Sequence, residues 1–322
     1  DQWKQEKLVS HWPELGEYSS DLLSVLDEKA YRDKNIRFIF EDWMSALSND
    51  DRLDRLRPDK ANVFNFKMLL NTNREYWNAT NIGKIISNYY EDMLALDGAM
   101  PNQVTGNHDT DTIRTRLGSA TTARAATLML ALLPGAFYIW QGDMLGRPNV
   151  LVPEDRQKDG DIGQRDGERV PMQWNTELNG GFSKTHPASL WLPAVEPAHY
   201  VRDNLEIQSR DPMSPYRVVV GALQYRIMDP ALRAGGIRML HADYGNILAF
   251  ARNDPYDPRR QVISLVNFSQ DTIPVSILDA HQKRGRIVFS AARGYLEDDK
   301  EVDFEKSILM PPDACYMIHS VA

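Results

Sequence analysis

Three strand-like runs in this chain each end on polar or charged side chains. Ile36-Arg37-Phe38-Ile39-Phe40 runs into Glu41-Asp42. Gln103-Val104-Thr105-Gly106 runs into Asn107-His108-Asp109, and Phe137-Tyr138-Ile139-Trp140 into Gln141-Gly142-Asp143. Helical patterns separate them. Pro13 to Lys29 places Leu15, Tyr18, Leu22, Val25 and Leu26 on one face, and Ile82 to Leu96 does the same with Ile82, Ile85, Ile86, Tyr89, Met93 and Leu96. Thr121 to Leu133 is a helix of Ala, Leu and Met stopped by Pro134-Gly135. A further apolar patch is Val63-Phe64-Asn65-Phe66. Helix and strand in alternation predict βα units and a parallel sheet. In a (β/α) barrel the C-terminal ends of the strands carry the chemistry.

The pattern then changes twice. Arg147 to Asn204 is an irregular stretch rich in Gly, Pro and Asp, and a stretch of that length inside a domain is usually functional. Tyr216 to Met228 restores a helix, ended before Asp229-Pro230. Beyond it, Ile247 to Ala251, Val262 to Asn267, Ile273 to Ile277, Arg286 to Phe289 and Cys315 to Ile318 are short runs separated by turn residues, as in an antiparallel β-sandwich. A boundary near Gly235-Gly236 divides the chain into 1–235 and 236–322. The reading is therefore α/β followed by all-β.

Composition excludes several classes. With 322 residues and a net charge of −8, the chain lacks the basic footprint of a nucleic-acid binder, and it permits a neutral partner such as a sugar. Ala125 to Trp140 is interrupted by Pro134-Gly135 and falls short of the roughly 18 apolar residues of a membrane span. The one cysteine, Cys315, rules out an intrachain disulfide framework and a Cys-based metal site, and leaves the compartment open. The chain opens on Asp1 with a charged stretch unlike a signal peptide and is expected to be a processed or truncated piece.

Glu41, fixed at a strand end and partly desolvated, has the character of a general acid, and Asp42 beside it leaves the choice between the two open. Alternation along the strand aims one of them into the barrel mouth. A plain strand-end carboxylate is the other reading. Asn107-His108-Asp109 pairs a carboxylate with an imidazole, suited to sugar hydroxyls and to a cationic transition state, and equally suited to a turn. Arg165, Arg169 and Trp174 in the irregular stretch have the chemistry to line a sugar pocket, or to make a surface ion-pair network around a packed Trp. No HExxH, GxSxG or Walker spacing occurs, no metal site is expected, and Asp159-Gly160-Asp161 reads as an acidic turn.

Taken in order, GNHDTDTIRTRLG (Gly106 to Gly118), ARAATLMLALLPGAFYIWQGDMLG (Ala123 to Gly146), QRDGERVPMQWN (Gln164 to Asn175), GGFS (Gly180 to Ser183), WLP (Trp191 to Pro193), NLEIQSRDPMS (Asn204 to Ser214), DPAL (Asp229 to Leu232) and LVNFS (Leu265 to Ser269) resemble the α-amylase superfamily, glycoside hydrolase family thirteen. They are most similar to its branch of α-glucosidases, oligo-1,6-glucosidases and trehalose synthases. The resemblance implies the second half of a (β/α)8 barrel, from strand five onward, followed by an antiparallel β-sandwich. It implies a retaining α-glucosidase acting on short α-glucosides of the maltose or isomaltose kind. Glu41 becomes the acid/base, Asp109 the transition-state stabiliser and His108 a ligand of the sugar hydroxyls. The strand-four segment with the nucleophilic Asp has no counterpart here. An N-terminal half-barrel is thus the expected partner, this chain alone is expected to be inactive, and any calcium site is expected in that other half. No cofactor is expected in this chain.

Two positions depart from the family pattern. Thr112 stands where an Arg usually follows Asn-His-Asp, with Arg114 nearby, and Met144 replaces a Glu after Asp143. A transglycosylating relative such as trehalose synthase is the neighbouring reading. A non-catalytic, glycosidase-like heavy chain of an amino-acid transporter is the other, and the retention of Glu41 and Asp109 argues against it.

Overall fold

Four short strands lie side by side in chain order, all parallel. In the computed structural model, which describes residues 15–34, 36–41, 43, 60–95, 102–158, 165–291 and 300–321, β1 (Phe38–Phe40) pairs with β2 (Ala61–Val63) and β3 (Asn102–Val104) with β4 (Ala136–Tyr138). A parallel bridge from Phe64 to Asn102 joins the two pairs. Asp42, Asp159 to Asp161, Gln164 and the side chains of Leu15, Tyr18, Met93 and Leu96 lie outside the described residues.

Helix α1 (Leu15–Ser24) tightens into a 3₁₀ turn at Val25–Asp27, short of the Pro13 to Lys29 helix that the apolar spacing predicts. Leu23 and Leu26 are buried (2% and 8% exposed) against Ala61, Phe38 and Phe40, while Val25 is 39% exposed. Between β2 and β3 run α2 (Phe66–Asn71) and α3 (Ala79–Ala95). Asn65 caps α2 by accepting the Met68 N–H at 3.0 Å. Between β3 and β4 run α4 (Ile113–Leu117) and α5 (Ala120–Leu132). Ser119 caps α5, which buries nearly its whole circumference. A helix apolar all round belongs inside a core, and α5 lies between the parallel strands and the second layer of the chain.

That second layer follows α6 (Pro215–Met228) and α7 (Pro230–Ala234). The strands β5 (Ile237–Leu240), β6 (Ile247–Asn253), β7 (Gln261–Asn267), β9 (Arg284–Ala291), β10 (Glu301–Asp303) and β12 (Cys315–Val321) form an antiparallel sheet in the order β10-β9-β12-β7-β6-β5. Facing it, β8 (Ile273–Val275) and β11 (Ile308–Met310) make a two-stranded sheet. Alternation along β6 explains its unbroken apolar run. Ile247, Ala249 and Ala251 point between the sheets, while Leu248 and Phe250 point to the helices α3 to α7. Cys315 shares the helix side, where full burial pushes its thiol pKa far up and leaves it unreactive.

One buried side chain ties the layers together. The Arg252 guanidinium on β6 donates to the carbonyls of Leu132 (2.8 Å), Leu232 (2.9 Å) and Gly235 (2.8 Å). Burial lowers its pKa to about 10, so it stays charged at neutral pH.

Candidate active site

The C-terminal ends of the four parallel strands surround a cavity of about 250 Å³. Glu41, the residue after β1, lines it together with His108, Phe64, Phe66, Tyr138 and Trp140. Glu41 is exposed, where partial desolvation was the expectation, and its Oε1 accepts the indole N–H of Trp43 at 3.1 Å. Trp43 itself stacks on Phe66 with ring centres 3.9 Å apart and planes within 7°. The carboxyl is thereby aimed by an aromatic pair anchored on α2.

Asn107-His108-Asp109 turns out to be both a turn and a charge cluster. Asn107 Oδ1 accepts from the Asp109 N–H (3.0 Å) and from Thr110 Oγ1 (3.1 Å), the side-chain-to-backbone bonding that makes Asn a turn former. The turn presents the half-buried Asp109 carboxylate to three cations or donors. Arg165 forms an ion pair with Oδ1, Arg169 Nη2 lies 3.2 Å from the same oxygen, and His108 Nε2 lies 3.3 Å from Oδ2. Arg169 also donates through Nε to the His108 carbonyl at 2.7 Å. Arg165 and Arg169 bracket a one-turn helix, Asp166–Arg169, so one short element supplies both guanidiniums.

Behind this turn lies a buried polar layer. Asp143 accepts the Ile113 N–H at 3.3 Å, and burial pushes its pKa up to about 6 against the pull of Thr105, Arg116 and Arg147. Burial raises Glu168 to about 7, helped by the charge of Asp111 and opposed by Arg169 and Arg165. Arg116 donates to the carbonyls of Leu69 (2.9 Å) and Thr105, and burial lowers it to about 10.

The structure thus brings Glu41 and His108 to one cavity and gathers Asp109, Arg165 and Arg169 beside it. Trp174 does not line that cavity. It is 45% exposed, and its backbone bonds to Gly180 and Glu206. Thr112 is buried and caps α4 by accepting the Thr115 N–H at 3.3 Å, so it is committed to a helix start. Sequence reasoning missed Phe64, Phe66, Tyr138 and Trp140 as lining residues. Their signal was available only as two aromatic runs, Phe64 to Phe66 and Tyr138 to Trp140, placed where β2 and β4 end. Among the described residues no three His, Cys, Asp or Glu side chains come together as a metal site, and no helix is long and apolar enough to cross a membrane.

Parallel strands with intervening helices, a polar cluster at their C-terminal ends and a following antiparallel sandwich define part of a (β/α)-barrel enzyme fold. The family model for "Alpha amylase, catalytic domain" matches residues 2–235, and the chain belongs to that family. Trehalose synthase/amylase TreS of Mycobacterium tuberculosis is 30% identical over 153 residues, 47% of this chain and 24% of that protein. The salivary alpha-glucosidase of Aedes aegypti is 26% identical over 304 residues, 89% of this chain and 50% of that protein. The chain therefore spans half or less of these relatives. Among solved structures, an isomaltulose synthase mutant of Erwinia rhapontici superposes with a TM-score of 0.76 at 16% identity, covering 99% of this chain and 61% of that one. A trehalose-6-phosphate hydrolase of Bacillus licheniformis gives 0.74 at 19% identity, covering 96% and 60%. Both have the same fold.

Proposed function

We propose that this chain is the C-terminal part of a retaining α-glucosidase-type glycoside hydrolase acting on short α-glucosides such as maltose or isomaltose. The observation that carries the reading is the meeting of Glu41 and His108 on one cavity at the strand ends, beside an Asp109 carboxylate set by two arginines. Glu41 protonates the glycosidic oxygen as the bond breaks and afterwards takes the proton of the attacking water. Asp109 faces the positive charge that develops on the sugar, where a fixed carboxylate is worth most. His108 and the guanidinium forks of Arg165 and Arg169 suit the sugar hydroxyls.

A retaining mechanism needs a second carboxyl roughly 5 to 5.5 Å from the acid, on the opposite side of the bond. In this reading a second half-barrel supplies that nucleophile and pairs with β1 and β4, the outer strands of the described parallel set. This chain by itself is then inactive. Transfer to a sugar instead of water is a second reading, favoured by the match to a trehalose synthase/amylase.

The test is to express the full reading frame and assay maltose, isomaltose, sucrose and trehalose. Release of glucose from maltose supports hydrolysis, and conversion of maltose to trehalose supports transfer. E41Q is expected to lower kcat by about 10² to 10⁴-fold. Unchanged turnover in E41Q with collapse in D42N moves the acid to Asp42, and no activity on any glucoside rejects the reading.

A further inference from the structure

Asn149 lies outside the cavity, on the irregular segment after β4, and joins three stretches of chain. Its Oδ1 accepts the Thr112 N–H at 2.9 Å. Its Nδ2 donates to Asp111 Oδ1 at 2.6 Å and to Glu168 Oε2 at 3.1 Å. Its own N–H donates to Thr115 Oγ1 at 2.7 Å. Asp111 and Thr112 end the turn that carries Asp109, and Thr115 lies in α4 just beyond. Glu168 sits inside the one-turn helix whose two arginines hold Asp109.

The neighbouring backbone repeats the connection. The Val150 N–H donates to the Gly167 carbonyl at 3.1 Å. A Cβ on Gly167 would meet the Val150 carbonyl at 2.7 Å, so glycine is what allows the two segments to approach. The outer side of the helix is fixed too, because the Glu168 carbonyl accepts from Trp140 Nε1 and Arg147 Nη2, both at 3.1 Å. Within this cluster Asn149 supplies the side-chain hydrogen bond to Glu168 Oε2, beside the backbone at Glu168 and the charges of Arg165 and Arg169.

We propose that Asn149 is a positioning residue that sets the Asp109 turn and its arginine clamp in register with each other. This rests on the reading above, in which Asp109 acts on the transition state. The chemistry calls for a carboxamide. The site needs one acceptor for the Thr112 N–H and two hydrogens for two separate carboxylates, on a side chain short enough to reach all three. Aspartate keeps the acceptor but sets a third carboxyl against Asp111 and Glu168. Leucine keeps the volume and the backbone bond to Thr115 but loses every side-chain bond.

The partner geometry supplies a rescue. In D111N/N149D the donor and acceptor of the 2.6 Å bond exchange places and the introduced carboxylate still accepts from the Thr112 N–H, while the 3.1 Å bond to Glu168 is not restored, so the rescue is partial. In the full-length protein N149D is expected to lower kcat by about 10 to 100-fold at nearly constant KM, the loss produced by a misplaced transition-state group. D111N/N149D is expected to return to within about fivefold of the parent, a double-mutant coupling that a merely destabilised loop would not give. Independently of activity, N149L should speed amide exchange at Thr112 and Val150 by about tenfold or more while leaving Leu265 in the sandwich unchanged, since only the local opening is affected. Parent kcat in N149D, or a double variant no better than N149D when both keep the parent Tm, overturns the proposal. If the parent cleaves no α-glucoside, the functional reading falls and the exchange measurement decides alone: faster exchange at Thr112 and Val150 supports the cross-link, and unchanged exchange removes it.

Discussion

Asp143 offers a quantitative test of the buried layer behind the site. Its carboxyl is 3% exposed, bonded to the Ile113 N–H, and close enough to Gly106 that a Cβ there would lie 3.1 Å from Oδ2. Burial lifts its pKa from 3.8 to about 6 despite Thr105, Arg116 and Arg147. At 1.36 kcal/mol per pH unit that gap amounts to about 3 kcal/mol. The sign follows from proton binding. Between the two pKa values the folded protein holds a proton that the unfolded chain has lost. The contribution of Asp143 is therefore complete below pH 3.8 and disappears as pH rises through 6. Asn at this position cannot ionise. The stability of the parent relative to D143N should thus fall by about 2 kcal/mol between pH 4 and pH 7, the larger part of the full gap, and stay level above it. Urea unfolding of both proteins at half-unit pH steps measures this difference, and groups that titrate alike in both, such as Glu168, drop out of it. A flat difference, or one that moves in the parent's favour as pH rises, refutes the assignment of a buried, reluctantly ionised carboxyl.

Two further outcomes probe the joint between the layers. A Cβ at Gly221 on α6 would meet the Phe289 ring of β9 at 2.4 Å, so G221A must displace that ring; it should cost about 1 to 3 kcal/mol and lower Tm in a thermal melt. Asp229 accepts from the Ala231 N–H (2.9 Å) and from Arg260 (2.8 Å), and faces His319 Nε2 at 3.0 Å. Although burial works the other way, His319 and Arg260 hold its carboxyl below the usual range. Its contribution is present at neutral pH and lost as pH falls through the folded pKa, so the Tm gap between the parent and D229A should narrow on acidification from pH 7 to pH 3.

The parts legible from sequence are those governed by local pattern. The first of the two predicted helices starts at Ala79, a few residues before Ile82, behind the Asn78 side chain, and Thr121 to Leu133 forms as Ala120–Leu132, because Ser119 caps it and Pro134 follows. The strand ends at Glu41 and Asn107 were legible because an apolar or extended run that stops at a polar cluster is what a βα unit produces where its strand leaves the sheet. The face of α1 was legible only in part: Leu26 is buried as its spacing predicts, while Leu23 rather than Leu22 is the buried residue of the preceding turn and Val25 is exposed. Strands β5, β10 and β11 escaped; β10 offers a single apolar residue, Val302, between Glu301 and Asp303, and β5 is interrupted by Arg238. Asn149 left no local signal at all. Its partners Asp111, Thr112 and Glu168 lie 38, 37 and 19 residues away, and only the folded chain makes them neighbours.

The two carboxyl groups of the site draw their precision from different parts of the molecule. Asp109 is set by the turn after β3, by the arginine-bearing helix and by Asn149. These elements back onto α4 and α5, whose buried faces join the helix side of the sandwich in one continuous core. Arg252 bonds that same core to the carbonyls of Leu132 and Gly235. Glu41 stands at the end of β1, whose own apolar support is the smaller cluster of Leu23, Leu26 and Ala61, supplemented by the Trp43–Phe66 stack. Local stability follows the density of buried contacts. Disturbance of the sandwich should therefore reach Asp109 before Glu41, and loss of the Trp43 indole should reach Glu41 alone. The Asp109 wall of the cavity is thus braced by the antiparallel sheet, while the position of Glu41 depends on what packs against β1.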